Sequence, residues 1–381
     1  MDHEKALGGR IFTGPVAFLL LLFLICAYFL VVRYINGIGY VSNLSDQNSW
    51  GIWKVVGVLV GAAFVNGGYV TALLVYILNK GKYHRFVRQA VLFSLLGYIF
   101  AATSLVYDTG RYVNLLNFFI PKYMQPNSAL FEVGVCITAY IFIMAIEFLP
   151  SFLERFMPEG KDTSGFITNL HSFLNKILFL TVAFGVVLPT MHQSGLGSLA
   201  YLMGQKISPL WQTPWVSFLY VVSSIFMGMC IVVIIDILYH PKSLKDKEYL
   251  GLLKGLMNIS FYVAIFWIVF RFVEVFRNGG AGNLIDVGFE FFFFWAEMIL
   301  IVIGMIMIRK TNARSLFSGA AFMLTGGLLY RLNTYIIGFE GAPGVTYFPT
   351  VPELFITIGM LALQIAIFIT FVKLFPIISQ E

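Results

Sequence analysis

Charge is scarce in this chain: Asp, Glu, Lys and Arg make up 12% of its 381 residues while hydrophobic types make up 59%, a balance that excludes an ordinary soluble domain. Cysteine is scarcer. Cys26, Cys136 and Cys230 each stand alone in a different apolar run, so neither a disulfide framework nor an iron–sulfur or zinc spacing exists, and the three read as packing residues. No Gly-rich loop followed by Lys is present, which removes the simplest ATP-driven reading. The apolar/polar alternation of an outer-membrane barrel is also missing. A transmembrane cytochrome b needs histidines facing each other inside helices. The five here, His3, His84, His171, His192 and His240, all read as loop or span-end residues, so the expectation is a chain with no haem, no iron–sulfur cluster and no metal site.

What the chain has is apolar length. About 20 apolar residues cross the hydrocarbon as a helix, and such runs fall near 16–35, 52–78, 87–107, 128–149, 172–190, 215–238, 252–276, 288–308, 315–337 and 353–376. Helices are the spanning solution for runs this continuous. The expected fold is therefore an all-α polytopic membrane protein of about ten transmembrane helices, a single integral membrane domain over 1–381. The start, Met1-Asp2-His3-Glu4-Lys5, lacks a basic leader region and no small-residue cleavage site follows the first run, so span one is expected to be retained. Seventeen of the 25 Lys and Arg residues, among them Lys80, Arg88, Lys176, Lys245, Arg309 and Lys373, fall on one face of this topology, which places both termini in the cytoplasm by the positive-inside rule. The opposite, outer connections 108–127, 191–214 and 338–352 are longer and richer in Gly, Pro and aromatics, as expected of a binding site or a docked partner.

Polar side chains at membrane depth are costly and are functional candidates for that reason. They collect at the outer span ends. Asp108 and Arg111 follow span three. Glu132 lies one turn inside span four, flanked by Phe131 and Val133 with no base nearby, which makes it the leading candidate for proton exchange. His192 follows Pro189 in the run Gln193-Ser194-Gly195-Leu196-Gly197-Ser198, read as a close-approach loop. Tyr98 sits mid-span, about 15 Å below Asp108, where a proton-relay step and a plain interhelical hydrogen bond are equally open. Arg271 with Glu274, and Arg331 with Glu297, read as structural pairs that could also serve a proton path, and Glu290 belongs to the same outer layer. Glu147 and Asp236 lie near the inner edge, as solvated helix ends or the inner mouth of such a path. Carboxylate, imidazole, guanidinium and phenol at the outer level suit a quinone, whose carbonyls need donors and whose reduction needs two protons. Its electrons would come from a partner redox subunit.

The motifs Ser49-Trp50-Gly51-Ile52-Trp53, Gly67-Gly68, Asp108-Thr109-Gly110-Arg111-Tyr112, Asn127 to Glu132, Leu188 to Ser194, Pro209-Leu210-Trp211-Gln212 and Tyr347-Phe348-Pro349-Thr350 occur in order along the chain. In this the sequence resembles the NrfD/polysulfide-reductase-type membrane subunits over essentially its whole length, with particular likeness to the Hyb-type subunits of nickel–iron hydrogenase 2. The resemblance implies an NrfD-like helical bundle in the bacterial inner membrane. It also implies a haem-free, menaquinone-reactive subunit whose partners are a periplasmic ferredoxin-like iron–sulfur subunit and the large and small subunits of a [NiFe]-hydrogenase. It places proton transfer on Glu132 and Tyr98, and quinone binding on His192 and Lys206, with Asp108, Arg111 and Trp50 beside them. Two departures bear on any transmembrane proton route: Gly57 stands where relatives commonly carry Asp, and Ile235 stands where an acid is expected, with Asp236 adjacent. Alternatives are a quinol module serving a polysulfide, sulfite-linked or multihaem cytochrome complex, and, from another class, a secondary transporter, although the inverted repeats that would mark one are not evident.

Overall fold

In lipid, an apolar run can satisfy its backbone only by closing each hydrogen bond within the segment, and each of the ten expected spans is a helix. The computed structural model describes residues 6–154, 165–341 and 347–378, so His3, Lys5, Arg155 and Lys161 lie outside the described residues. The helices are α1 Gly14–Asn36, α2 Ile52–Ile77, α3 Val87–Asp108, α4 Ala129–Glu154, α5 Gly165–Leu202, α6 Val216–Tyr239, α7 Lys247–Arg277, α8 Phe289–Met307, α9 Ala313–Leu332 and α10 Val351–Leu374. Among the described residues, nine are long and apolar enough to cross a membrane. The tenth, α9, carries Arg314, Thr325, Arg331 and three glycines, Gly319, Gly326 and Gly327, and is packed against α6 and α8.

The centre of the bundle is α2 and α6, the most buried spans, while α1 is the most lipid-facing and leans on α10. Small residues set how closely the helices approach. A Cβ on Gly359 of α10 would meet Cys26 Cβ at 2.3 Å, so Cys26 is a packing residue as expected. A Cβ on Gly304 of α8 would meet the Gly319 carbonyl of α9 at 2.6 Å. Gly304→Val is therefore expected to cost about 1–3 kcal/mol by overpacking, read as a lower thermal midpoint in detergent. An unchanged midpoint would mean that α8 and α9 do not lie this close.

Span five departs most from expectation. Its apolar run predicts an end at 190, yet α5 continues through Pro189 to Leu202. Proline removes one helix hydrogen bond without ending a helix that neighbours enclose. The glycines after it do not form a loop: a Cβ on Gly197 would fall 2.4 Å from Ser217 Cα of α6, and one on Gly195 would fall 2.9 Å from Val133 Cγ2 of α4. They admit neighbouring helices.

The outer loops, so called after the charge reading, knit into one layer. Ser208 N donates to the Gly338 carbonyl (2.8 Å), Glu340 N to the Lys206 carbonyl (2.7 Å), and Asn43 Nδ2 to the Phe348 carbonyl (2.8 Å). At the opposite end Arg88 donates to the Pro376 carbonyl (3.0 Å) and Gly8 N to that of Lys373 (3.1 Å).

Candidate functional site

The π-helical turn Asn333–Ile337 that ends α9 widens the helix just where the outer layer meets the bundle, as such turns do at many functional sites. Gly338, which closes it, lies so near the Trp211 ring that an added Cβ would come within 2.6 Å. Beside this turn lies a cavity of about 1210 Å³. Its walls are mostly apolar: Phe289 and Phe293 from α8, Leu329, Leu332, Ile336 and Ile337 from α9 and its turn, and Phe339 and Phe348 from the loops. Polar groups stand at a few points, Glu290, Lys206, Asn333 and Tyr347 among them. Phe289 and Phe348 are exposed at the rim. An apolar chamber with few polar groups at membrane level suits an amphipathic ring carrying a hydrocarbon tail.

Beneath the cavity, Asn333 Nδ2 donates to Glu297 Oε2 (2.8 Å) and to the Phe293 carbonyl (3.0 Å). Glu297 also accepts from Trp211 Nε1 (3.2 Å) and pairs with Arg271 (3.4 Å), both charges being fully buried. Arg271 donates to the Leu210 carbonyl and lies over the rings of Phe294 and Tyr330.

This corrects both expected pairings. Arg271 does not pair with Glu274, which instead accepts from Arg277 (3.0 Å) and Thr213 (2.7 Å): Arg277 is a helix-face neighbour of Glu274 at the same three-residue spacing and takes its carboxylate, while Glu297 reaches Arg271 from α8. Nor does Glu297 pair with Arg331. Arg331 donates to the carbonyls of Leu59 (3.0 Å) and Tyr220 (2.8 Å) and to Ser223 Oγ (3.1 Å), with its guanidinium over the Tyr220 ring. Leu59 belongs to a second π-helical turn, Val55–Val60, in α2.

Tyr98 Oη donates to Asn66 Oδ1 (3.0 Å), and its ring meets Tyr140 and His192 edge-on at 4.5 and 5.4 Å. His192 is fully buried, ten residues inside the end of α5, about 15 Å from it, so its expected place at a span end is corrected. Asp108 takes Trp53 Nε1 (2.7 Å) and the Lys54 ammonium (2.6 Å), while Lys54 lies over Trp50 and Trp50 against Tyr335 at 4.4 Å. Arg111 is exposed.

The expected quinone set is thus dispersed. Lys206 lines the cavity, Trp50 packs on Tyr335 of the π-helical turn, and His192, Asp108 and Arg111 lie elsewhere. Glu132 is half-buried in the first turn of α4 with no ion pair among the described residues. Glu147 faces α5 at Gly185 with Oε1 buried and unpartnered among them. Asp236, expected at a solvated end, is instead buried: it accepts from Gln89 Nε2 (3.2 Å) and Tyr249 Oη and lies 3.2 Å from His240 Nδ1, tying α3, α6 and α7 together.

Two groups were given no role by the sequence, although Tyr347 heads one of its motifs. Asn333 had no signal beyond being one more Asn near a span end. Tyr347 donates to Glu353 Oε1 (2.7 Å) and accepts from Ile52 N (2.8 Å). Its signal was Thr350-x-x-Glu353, a capping box that opens α10 and is formed in full.

Residues 40–339 match the family described as Polysulphide reductase, NrfD. The chain is 37% identical, over 99% of its length and 96% of the relative's, to a protein of Escherichia coli K12 called probable Ni/Fe-hydrogenase 2 b-type cytochrome subunit. It is also 28% identical, over 63% of its length and 57% of the relative's, to the integral membrane subunit of a menaquinone reductase from Nitratidesulfovibrio vulgaris Hildenborough. The first of those names implies haem, and among the described residues the surroundings of His84, His192 and His240 do not fit a haem held by two histidines. The ring beside His192 is Tyr98, His84 lies in the turn before α3, and His240 sits at the inner end of α6 beside Asp236.

Proposed function

This chain belongs to the polysulphide reductase NrfD family, and from that premise we propose that it is the quinone-reactive membrane subunit of a periplasm-facing nickel–iron hydrogenase complex, passing electrons from a partner iron–sulfur subunit to menaquinone with proton uptake. The observation that carries this reading is the outer cavity, apolar-walled, about 1210 Å³, rimmed by exposed aromatics and floored by Asn333 over the Glu297–Arg271 pair. The names of the two relatives support it, one attached to a hydrogenase and one to a menaquinone reductase.

In this reading both termini are cytoplasmic, the bundle sits in the bacterial inner membrane, and the partner subunits dock over the layer formed by the described residues 37–51, 203–215, 338–341 and 347–350. Lys206, Glu290 and Tyr347 hold the head of the substrate and the Phe and Leu walls hold its tail. Glu132 and Tyr98 remain proposed proton carriers, set apart from the cavity. Kinship to the menaquinone reductase subunit favours, as the second reading, the same quinone chemistry serving a different periplasmic redox complex.

The test compares membranes carrying the whole complex with membranes lacking this chain. Hydrogen-dependent reduction of a menaquinone analogue is expected to vanish without the chain while hydrogen-dependent dye reduction persists. Equal quinone reduction in both would end the proposal.

A further inference from the structure

Tyr347 lines the outer cavity and is only partly exposed, and its hydroxyl bridges two groups, donating to Glu353 Oε1 (2.7 Å) and accepting from the N–H of Ile52 (2.8 Å), which also lines the cavity. Glu353 is fully buried, and its other oxygen accepts from Thr350 N (2.8 Å) and from the backbone N–H of Asn43 (3.3 Å), a residue exposed at the outer end. A buried carboxyl group bonded to the backbone of Thr350 and of the exposed outer-end residue Asn43, next to a phenol that borders the chamber, forms a two-member proton chain. Resting on the reading of the cavity as a quinone site, we propose that Tyr347 is a catalytic residue that gives a proton to a ring oxygen, and that Glu353 is the positioning residue that resupplies it from the outer side.

Reduction of the ring takes two electrons from the partner's iron–sulfur group and two protons. For one of them, the Tyr347 O–H bond breaks as an O–H bond forms on the ring oxygen, and protonated Glu353 passes its proton to Tyr347 Oη. Tyr347 ends unchanged, Glu353 ends as carboxylate, and the ring oxygen ends as hydroxyl. The observed pattern, phenol donating to carboxylate, corresponds to the state after transfer. Oxidation of the reduced ring runs the same steps backwards.

The distinction from a structural role rests on Glu353→Gln. Glutamine at the third helical position retains the capping box with Thr350 through its one oxygen and turns its amide N–H toward Tyr347 Oη, where it donates, but it cannot carry the proton. In the assembled, membrane-embedded complex, Tyr347→Phe and Glu353→Gln are each expected to lower kcat for quinone about a hundredfold with KM changed less than about threefold, and Glu353→Gln to abolish one limb of the pH dependence of kcat. If Tyr347→Phe does not assemble, Glu353→Gln carries the test alone. Turnover within about threefold of the unsubstituted complex, with an unchanged pH profile, overturns the inference. The paired Leu332→Trp and Ile336→Trp variant separates the two ideas. Turnover lost there but kept in Glu353→Gln refutes the relay and spares the cavity, whereas turnover kept in both removes the cavity reading too.

Discussion

Replacing Glu297 with leucine is expected to leave little folded protein in the membrane, the largest stability loss of any single change considered for this chain. Glu297 and Arg271 are 0% and 1% exposed, so the guanidinium left behind would be a buried charge without a counterion. Breaking such a pair from one side costs about 3–5 kcal/mol, against a total stability of about 5–15 kcal/mol. Trp211 and Asn333 would lose their common acceptor as well. Adding Arg271→Met to Glu297→Leu should recover most of the loss, because two apolar side chains of similar size leave no charge to solvate. Glu274→Leu should do less harm, since Arg277 is 66% exposed and water takes over its solvation. The measurement is the yield and thermal midpoint of chain extracted in mild detergent. Equal loss in the single and double variants would show that shape, and not the buried charge, governs this site.

Placing indoles at Leu332 and Ile336 together is expected to cut kcat/KM for quinone by about a hundredfold, while hydrogen-dependent dye reduction by the complex survives. The two positions lie one turn apart on the cavity wall and flank Asn333 at its floor, so the rings would stand where the head of a quinone has to sit. Excluding an aromatic ring from burial forfeits about 2–3 kcal/mol, and about 2.7 kcal/mol corresponds to a hundredfold. A rise in KM with little change in kcat would mark lost binding; equal falls in kcat and kcat/KM would mark a ring still bound but badly placed. Unchanged kinetics would mean that quinone reacts elsewhere on the molecule.

The spans were legible in the sequence because hydrocarbon thickness imposes a length on each apolar run, and most helix ends fall within a few residues of where that length put them. The end of span five was not legible. Gly195 and Gly197 look the same whether they open a loop or admit a helix, and what decides is the approach of Val133 and Ser217, far away in sequence. The ion pairs failed for a related reason. Helical spacing brings Arg271 near Glu274, but Thr213 and Arg277 compete for that carboxylate, and Glu297 reaches Arg271 from another helix. The clustering of polar groups at the outer ends was visible in the sequence. Its division into a Tyr98–His192 group, an Asp108–Lys54 group and a Glu297–Arg271 group was not, because each group is assembled from helices that the chain order does not place together. The cavity was hidden most completely, since Asn48, Lys206, Glu290, Asn333 and Tyr347 come from five separate stretches and meet only once the outer loops have paired.

The measurement that bears most directly on the central claim is photolabelling of the membrane-embedded complex with an azido-quinone, followed by mapping of the labelled peptides. Label on residues 289–293 and 329–341, suppressed by excess menaquinone analogue and by the Leu332→Trp and Ile336→Trp pair, is the expected result. Competable label confined to the Tyr98–His192 group or to the Asp108–Lys54 group, with none on those two stretches, would contradict the account.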